Sequence, residues 1–153
     1  MCSQRVASAA MSPQQLAEAS AAAMWNDDSA SQRLGMALER IAPGEAVLSM
    51  TITDKMTNGH GMCHGGYMFL LADSAFAFAC NSYNQRVVAQ HCAISYLQPV
   101  ERGTRLVAHA HEISRRGRSG IYDVRVSTEA GDVVAEFRGQ SRVIPGTHLS
   151  EEK

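Results

Sequence analysis

The sequence predicts an α+β fold: an antiparallel sheet wrapped around one long central helix, with a second helix at the N-terminal end. Three observations lead there. The stretch Tyr67–Asn81 is largely apolar, holds one charge, Asp73, and is too long for a typical strand. Two strand-like stretches precede it and four follow it, the order of an α+β chain. The connections between the later strands are short, which joins consecutive strands antiparallel.

Taken in order, residues 1–11 are small and polar and are expected to be disordered, leaving 12–153 as a single domain. Ser12-Pro13-Gln14-Gln15 is a helix opening, with serine as cap, proline in the first turn and glutamine closing a capping box. Leu16, Ala19, Ala23 and Met24 form its apolar stripe, and Trp25–Asp28 breaks it. A short helical turn follows, ending near Gly35. Met36–Ile41 is a first strand, turned by Pro43-Gly44. Ala46, Leu48, Met50 and Ile52 then alternate with Val47, Ser49, Thr51 and Thr53, the pattern of a half-buried strand. Beyond the central helix, strands are expected at Val87–Leu97, Arg105–Ser114, Ile121–Ser127 and Val133–Val143. Turns separate them at Pro99–Gly103, Gly117–Gly120 and Ala130-Gly131.

Composition narrows the function classes. The chain has 153 residues, 45% hydrophobic and 19% charged, as expected of a globular domain. Its net charge of −1 gives the whole molecule no attraction for nucleic acid, so any anion site must be local. Cys2, Cys63, Cys80 and Cys92 make no Cys-x-x-Cys pair and read as free thiols of a reducing compartment. The start carries Arg5 but no apolar core of a signal peptide, and the central helix is too short for a membrane span. The expected location is the cytoplasm.

The central helix is composed of Ala, Leu, Met and Phe and is apolar on every face, so it is expected to be buried. Asp73 is therefore the anomaly. It is either an interface or pocket carboxylate satisfied by hydrogen bonds, or an acid, base or nucleophile in an apolar cleft. Gly65 and Gly66 open the helix and are either a tight turn alone or backbone N–H groups without intrahelical partners that can hold a developing oxyanion. Gly65 and Asp73 are eight residues apart, hence about 12 Å along one axis. A single carbonyl carbon cannot lie near both. Two antiparallel copies bring them together, which predicts a homodimer with two shared sites.

Other residues have two readings each. Asn58 suits a left-handed turn, or offers an amide that orients water or a carbonyl. His64 is a turn histidine or an orienting group. Cys63 is a small buried thiol or a nucleophile beside His64. His60, Cys63, His64, His91 and Cys92 have no standard zinc spacing, so no metal is expected. Arg115, Arg116 and Arg118 at a hairpin tip are a solvated face or a phosphate site.

The run Asn58-Gly-His, then Cys63-His-Gly-Gly, then Leu71-Ala-Asp73-Ser-Ala-Phe-Ala-Phe-Ala-Cys-Asn-Ser82 resembles the hotdog-fold acyl-CoA thioesterases of the phenylacetate-degradation PaaI type. Ile94–Pro99, Gly120–Val124 and Ala135–Gly139 resemble them too, and the likeness spans roughly residues 25–145. The resemblance implies hydrolysis of acyl-CoA, aryl-acetyl or hydroxyphenylacetyl esters foremost, to free acid and coenzyme A. It implies dimers paired into homotetramers and no cofactor beyond the coenzyme A of the substrate. It makes Asp73 general base or nucleophile, has the Gly65 amide polarise the carbonyl from the opposite subunit, and has Asn58 and His64 orient substrate or water. Gly66, Tyr67 and Phe69 would line the acyl pocket, and Arg115 and Arg116, with Arg118 behind, would meet the coenzyme A phosphates. An acyl-thioester hydratase or dehydratase on the same fold, and a non-catalytic acyl-CoA-binding module, are the rival readings.

Overall fold

The computed structural model describes residues 11–150; the expectations for Cys2, Arg5 and the rest of residues 1–10 lie outside the described residues. The chain runs α1 (Pro13–Asp27), α2 (Ser29–Arg33), β1 (Ala37–Ala42), β2 (Glu45–Thr51), a 3-10 turn (Asp54–Met56), α3 (Gly65–Cys80), β3 (Arg86–Tyr96), β4 (Arg105–Arg116), β5 (Ser119–Thr128) and β6 (Val133–Ile144). The capping box forms: the Gln15 N–H donates to Ser12 Oγ at 3.1 Å, and the Ser12 N–H donates to Gln15 Oε1 at 3.0 Å.

One six-stranded antiparallel sheet, in the order β1-β2-β4-β5-β6-β3, curls around α3. This is the hotdog arrangement. It corrects one expectation: β3 does not pair with its successor β4 but closes on β6, with Tyr96 opposite Ala135 and Cys92 opposite Gly139. The reason lies in α3, which separates β2 from β3 and delivers the chain to the far side of the sheet.

The inner sheet face alternates as the sequence suggests. Leu48, Met50, Leu106, Ala108, Ala110, Val124, Val126, Ala135 and Phe137 are buried against α3. Small residues Ala72, Ala75 and Ala79 are fully buried and let the helix lie close to the strands. Gly139 serves the same end, since a Cβ there would stand 2.8 Å from ring carbons of Phe76. On the outer face charges pair across strands, as where Arg138 grips Asp123 with two bonds of 2.6 and 2.8 Å.

The burial of α3 is not complete, as full apolarity suggested. Gly66, Phe69, Leu70, Asp73 and Ala77 are not buried, and their spacing of three or four residues puts them on one stripe. Beside that stripe β3 is bonded on one side only, to β6. Helix stripe and strand edge together form an unfilled surface of the protomer.

Candidate active site

Asp73 sits midway along α3 on this stripe, half-buried. Its one side-chain hydrogen-bond partner among the described residues is Cys92 of β3, whose Sγ lies 3.9 Å from Oδ1. Burial pushes the Asp73 pKa above the ordinary carboxylate value, and the Cys92 contact pulls it partly back. The thiol itself is pushed up to about 11, by burial first and then by the adjacent carboxylate. Cys92 therefore stays protonated at neutral pH and acts as donor rather than nucleophile.

Gly65 is the first residue of α3, and its N–H finds no acceptor among the described residues. Its carbonyl accepts a hydrogen bond from the Tyr96 hydroxyl at 2.9 Å. Gly66 departs from expectation: its N–H is not open, because it donates to Nδ1 of His64 at 2.9 Å. His64 is thus the helix cap. With Nδ1 accepting, the neutral ring carries its proton on Nε2, which leaves Nε2–H as an outward donor.

β3 ties these groups together. Cys92, Ile94 and Tyr96 share its inner face, opposite Gly139, Phe137 and Ala135. Four strand residues at ~3.3 Å make about 13 Å, close to the ~12 Å that eight helical residues span. The strand therefore reaches Asp73 at one point and Gly65 at the other. Within one protomer the carboxylate and the open amide remain that far apart. A depression of about 480 Å³ lies elsewhere, on the outer sheet face between Arg105, His109 and Arg125.

The loop before α3 is pinned from several sides. The Asn58 side-chain carbonyl accepts from the N–H groups of His60 at 2.9 Å and Met62 at 3.2 Å. Its amide nitrogen has no partner among the described residues, so Asn58 both folds the turn and offers a donor. The Cys63 N–H donates to the Val100 carbonyl at 2.7 Å, and the His64 N–H to the Met56 carbonyl at 2.8 Å. Cys63 is buried, its pKa raised by that burial, and its thiol donates to the His64 carbonyl at 3.4 Å rather than facing the imidazole. That is the inert reading of Cys63. No three potential metal ligands gather among the described residues. Tyr67 is half-buried with its ring edge-on to His64, and Phe69 packs on Phe137 with centroids 5.4 Å apart.

The three hairpin arginines do not form one cluster. Arg115 pairs with buried Gly120, on the inner face, whereas Arg116 pairs with exposed Ser119, on the outer face. Arg118 stands in the turn between them. The residues around Tyr96 and Cys92 carry no local sign that these two side chains meet Gly65 and Asp73. Their positions follow from the β3–β6 pairing, for which no local signal exists.

Residues 60–135 match the thioesterase superfamily model. The chain is similar to the acyl-coenzyme A thioesterase PaaI of Escherichia coli, 41% identical over 129 residues that cover 84% of this chain and 92% of that protein. The structure of the Escherichia coli PaaI protein from the phenylacetic acid degradation operon superposes with a TM-score of 0.87 at 40% identity, covering 89% of this chain and 99% of that one. A variant of the phenylacetic acid degradation protein PaaI from Thermus thermophilus superposes with a TM-score of 0.74 at 37% identity, covering 76% of this chain and 100% of that one. Among the described residues no helix is long and apolar enough to cross a membrane.

Proposed function

The chain belongs to the thioesterase superfamily and is a thioester hydrolase; from that premise we propose that it hydrolyses acyl-coenzyme A, with aryl-acetyl esters such as phenylacetyl- or hydroxyphenylacetyl-CoA as preferred substrates. The relatives named for phenylacetic acid degradation support the acyl class. The observation that carries the mechanism is the pairing on one helix of a half-buried carboxylate with a helix-start amide that has no acceptor.

In this reading a second copy covers the open stripe of α3 antiparallel and extends the sheet at the β3 edge. The Gly65 N–H of one copy then faces Asp73 of the other, giving a homodimer with two shared sites that pairs further into a tetramer. Asp73 takes a proton from water as its oxygen attacks the thioester carbonyl. The carbonyl oxygen becomes an oxyanion held by the Gly65 amide at the positive end of the helix dipole. Collapse of the tetrahedral intermediate breaks the C–S bond, and the proton passes to the departing thiolate. His64 Nε2–H and the Asn58 amide orient water and carbonyl. Gly66, Tyr67 and Phe69 border the acyl group, and the hairpin arginines meet the phosphates. A carboxylate and an amide suffice for this chemistry, so no cofactor is required. The free thiols of Cys63, Cys80 and Cys92 fit a cytoplasmic location.

Thiol release over a panel of acyl-CoA esters tests the function. Aryl-acetyl esters are expected to lead, and binding without thiol release would overturn the reading. Hydration of crotonyl-CoA in place of thiol release would instead favour the hydratase. Mixing two inactive proteins, Asp73→Asn and Gly65→Val, tests the shared site. A heterodimer carries both lesions in one site and none in the other, so mixing after mild unfolding is expected to restore activity. No recovery in demonstrated heterodimers would sink the shared site.

A further inference from the structure

A cluster at the far end of α3 holds one of the hairpin arginines in place. Tyr83 lies just beyond the helix, and Arg115 stacks on it with the guanidinium carbon 3.5 Å from the ring centre. Oε1 of Glu112 accepts the hydroxyls of Tyr83 at 3.0 Å and of fully buried Tyr122 at 2.8 Å. The same oxygen stands 3.6 Å from Arg115 Nε. Gly44 closes the cluster from behind: its φ is +71°, and a Cβ there would come within 2.8 Å of the Tyr83 hydroxyl oxygen.

The arrangement fixes one face and the Nε side of the guanidinium. The outer edge, with both terminal nitrogens, has no bond to any described residue. The side chains of Arg116 and Arg118 make no hydrogen bond or ion pair at all among the described residues, so their rotamers are not held in this way. A restrained arginine binds a planar or tetrahedral anion with less ordering cost than a mobile one. Arg115 is also the arginine on the inner sheet face. Asp73 to Asn81, where α3 ends, is eight residues or about 12 Å, so the cluster stands away from the reacting carbon, on the carboxylate's side of it.

We propose that Tyr83 and Glu112 are positioning residues that present the outer edge of Arg115 to a phosphate of coenzyme A, making this arginine the one that selects nucleotide-bearing thioesters over truncated ones. The inference rests on the functional reading above. Arg116, on the other face, and Arg118, in the turn, contribute less.

The test compares kcat/KM for phenylacetyl-CoA with that for phenylacetyl-N-acetylcysteamine, which lacks every phosphate. Arg115→Ala is expected to lower the ratio roughly tenfold or more. Tyr83→Leu and Glu112→Gln are expected to lower it about two- to tenfold, through KM for the CoA ester rather than kcat. Tyr83→Phe keeps the stacking ring and is expected to recover most of what Tyr83→Leu loses. In an Arg115→Ala background Tyr83→Leu should have no further effect on the ratio, which a merely structural role would not produce. An effect of Arg115→Ala with none from Tyr83→Leu or Glu112→Gln would overturn the positioning role alone. An unchanged ratio in Arg115→Ala would overturn the phosphate contact, and hydrolysis of neither ester by the unaltered protein would overturn the function itself. Should Tyr83→Leu fail to fold, the near-isosteric Glu112→Gln decides.

Discussion

The Cys92 thiol stands 3.9 Å from Oδ1 of Asp73 and is the one side-chain donor that reaches this carboxylate among the described residues. A donor to the ionised form favours that form. Cys92→Ala removes it, so the Asp73 pKa is expected to rise further. The acid limb of the kcat/KM profile then moves to higher pH. Cys92→Ser supplies a stronger donor and moves the limb the other way, provided the shorter side chain reaches. A limb that stays in place in both variants would remove Cys92 from any influence on the base.

Asp73→Asn tests the base and the cost of burying it. Loss of a general base is expected to lower kcat by about a hundredfold or more. The stability effect has the opposite sign. Burial holds the Asp73 pKa above its ordinary value of 3.8. Below that value both folded and unfolded chains carry a neutral group. As pH rises through it the unfolded chain ionises first, and the folded state loses relative stability until pH passes the raised pKa. Asn has no such penalty. Its melting temperature is expected to exceed that of the unaltered protein at pH 7, with the gap closing as pH falls toward 4. The acid limb of activity is likewise expected above the ordinary carboxylate range, because the proposed general base acts in its ionised form. Equal melting temperatures across the whole range would mean that Asp73 carries no burial penalty.

Much of this arrangement was legible locally, because its signals sit in neighbouring residues. The composition of Tyr67–Asn81 marks a helix, Ser12 and Gln15 mark its N-terminal partner, and the alternation in residues 46–53 marks a strand. What was missed depends on distant pairing or on small shifts of register. Tyr96 reaches Gly65 across 31 residues and Cys92 reaches Asp73 across 19. Only the closure of β3 on β6 creates those contacts. His64 as a cap was hard to foresee, since histidine is not among the preferred cap residues. The hairpin arginines part because the strand does not end at Ser114. It continues to Arg116, with a bulge between Glu112 and Ser114, and an extended strand sends consecutive side chains to opposite faces.

Gly65→Ala is expected to separate activity from stability. The added Cβ would lie 2.8 Å from Cζ of Tyr96, a ring that is 49% exposed in the single protomer. Alanine also favours the helix by up to about 1 kcal/mol, so unfolding in urea should change by no more than that amount. Turnover should fall about a hundredfold, because the methyl group crowds the amide proposed to receive the oxyanion. Adding Tyr96→Ala removes the clash but leaves the methyl group in place. Recovery of activity in that double variant would shift the cause from the amide to the displaced ring.

Gly139→Ala examines the packing that holds the site's two supports together. Gly139 lies in β6 directly opposite Cys92, and its inner face is filled by Phe76. A Cβ would stand 2.8 to 2.9 Å from three carbons of that ring. Phe76 is 1% exposed and packs edge-on to Tyr122 and tilted against Phe137, so it cannot turn aside without moving them. Overpacking of this kind costs about 1–3 kcal/mol. The strain falls between α3, which carries Asp73, and β6, whose partner strand β3 carries Cys92 opposite Gly139. Gly139→Ala is therefore expected to lose that much in urea unfolding and also to shift the acid limb of activity, as the thiol moves relative to the carboxylate. A stability change under about 0.5 kcal/mol would show that the helix has slack to move off the sheet, and the close approach of α3 and β6 would then not be what positions the base.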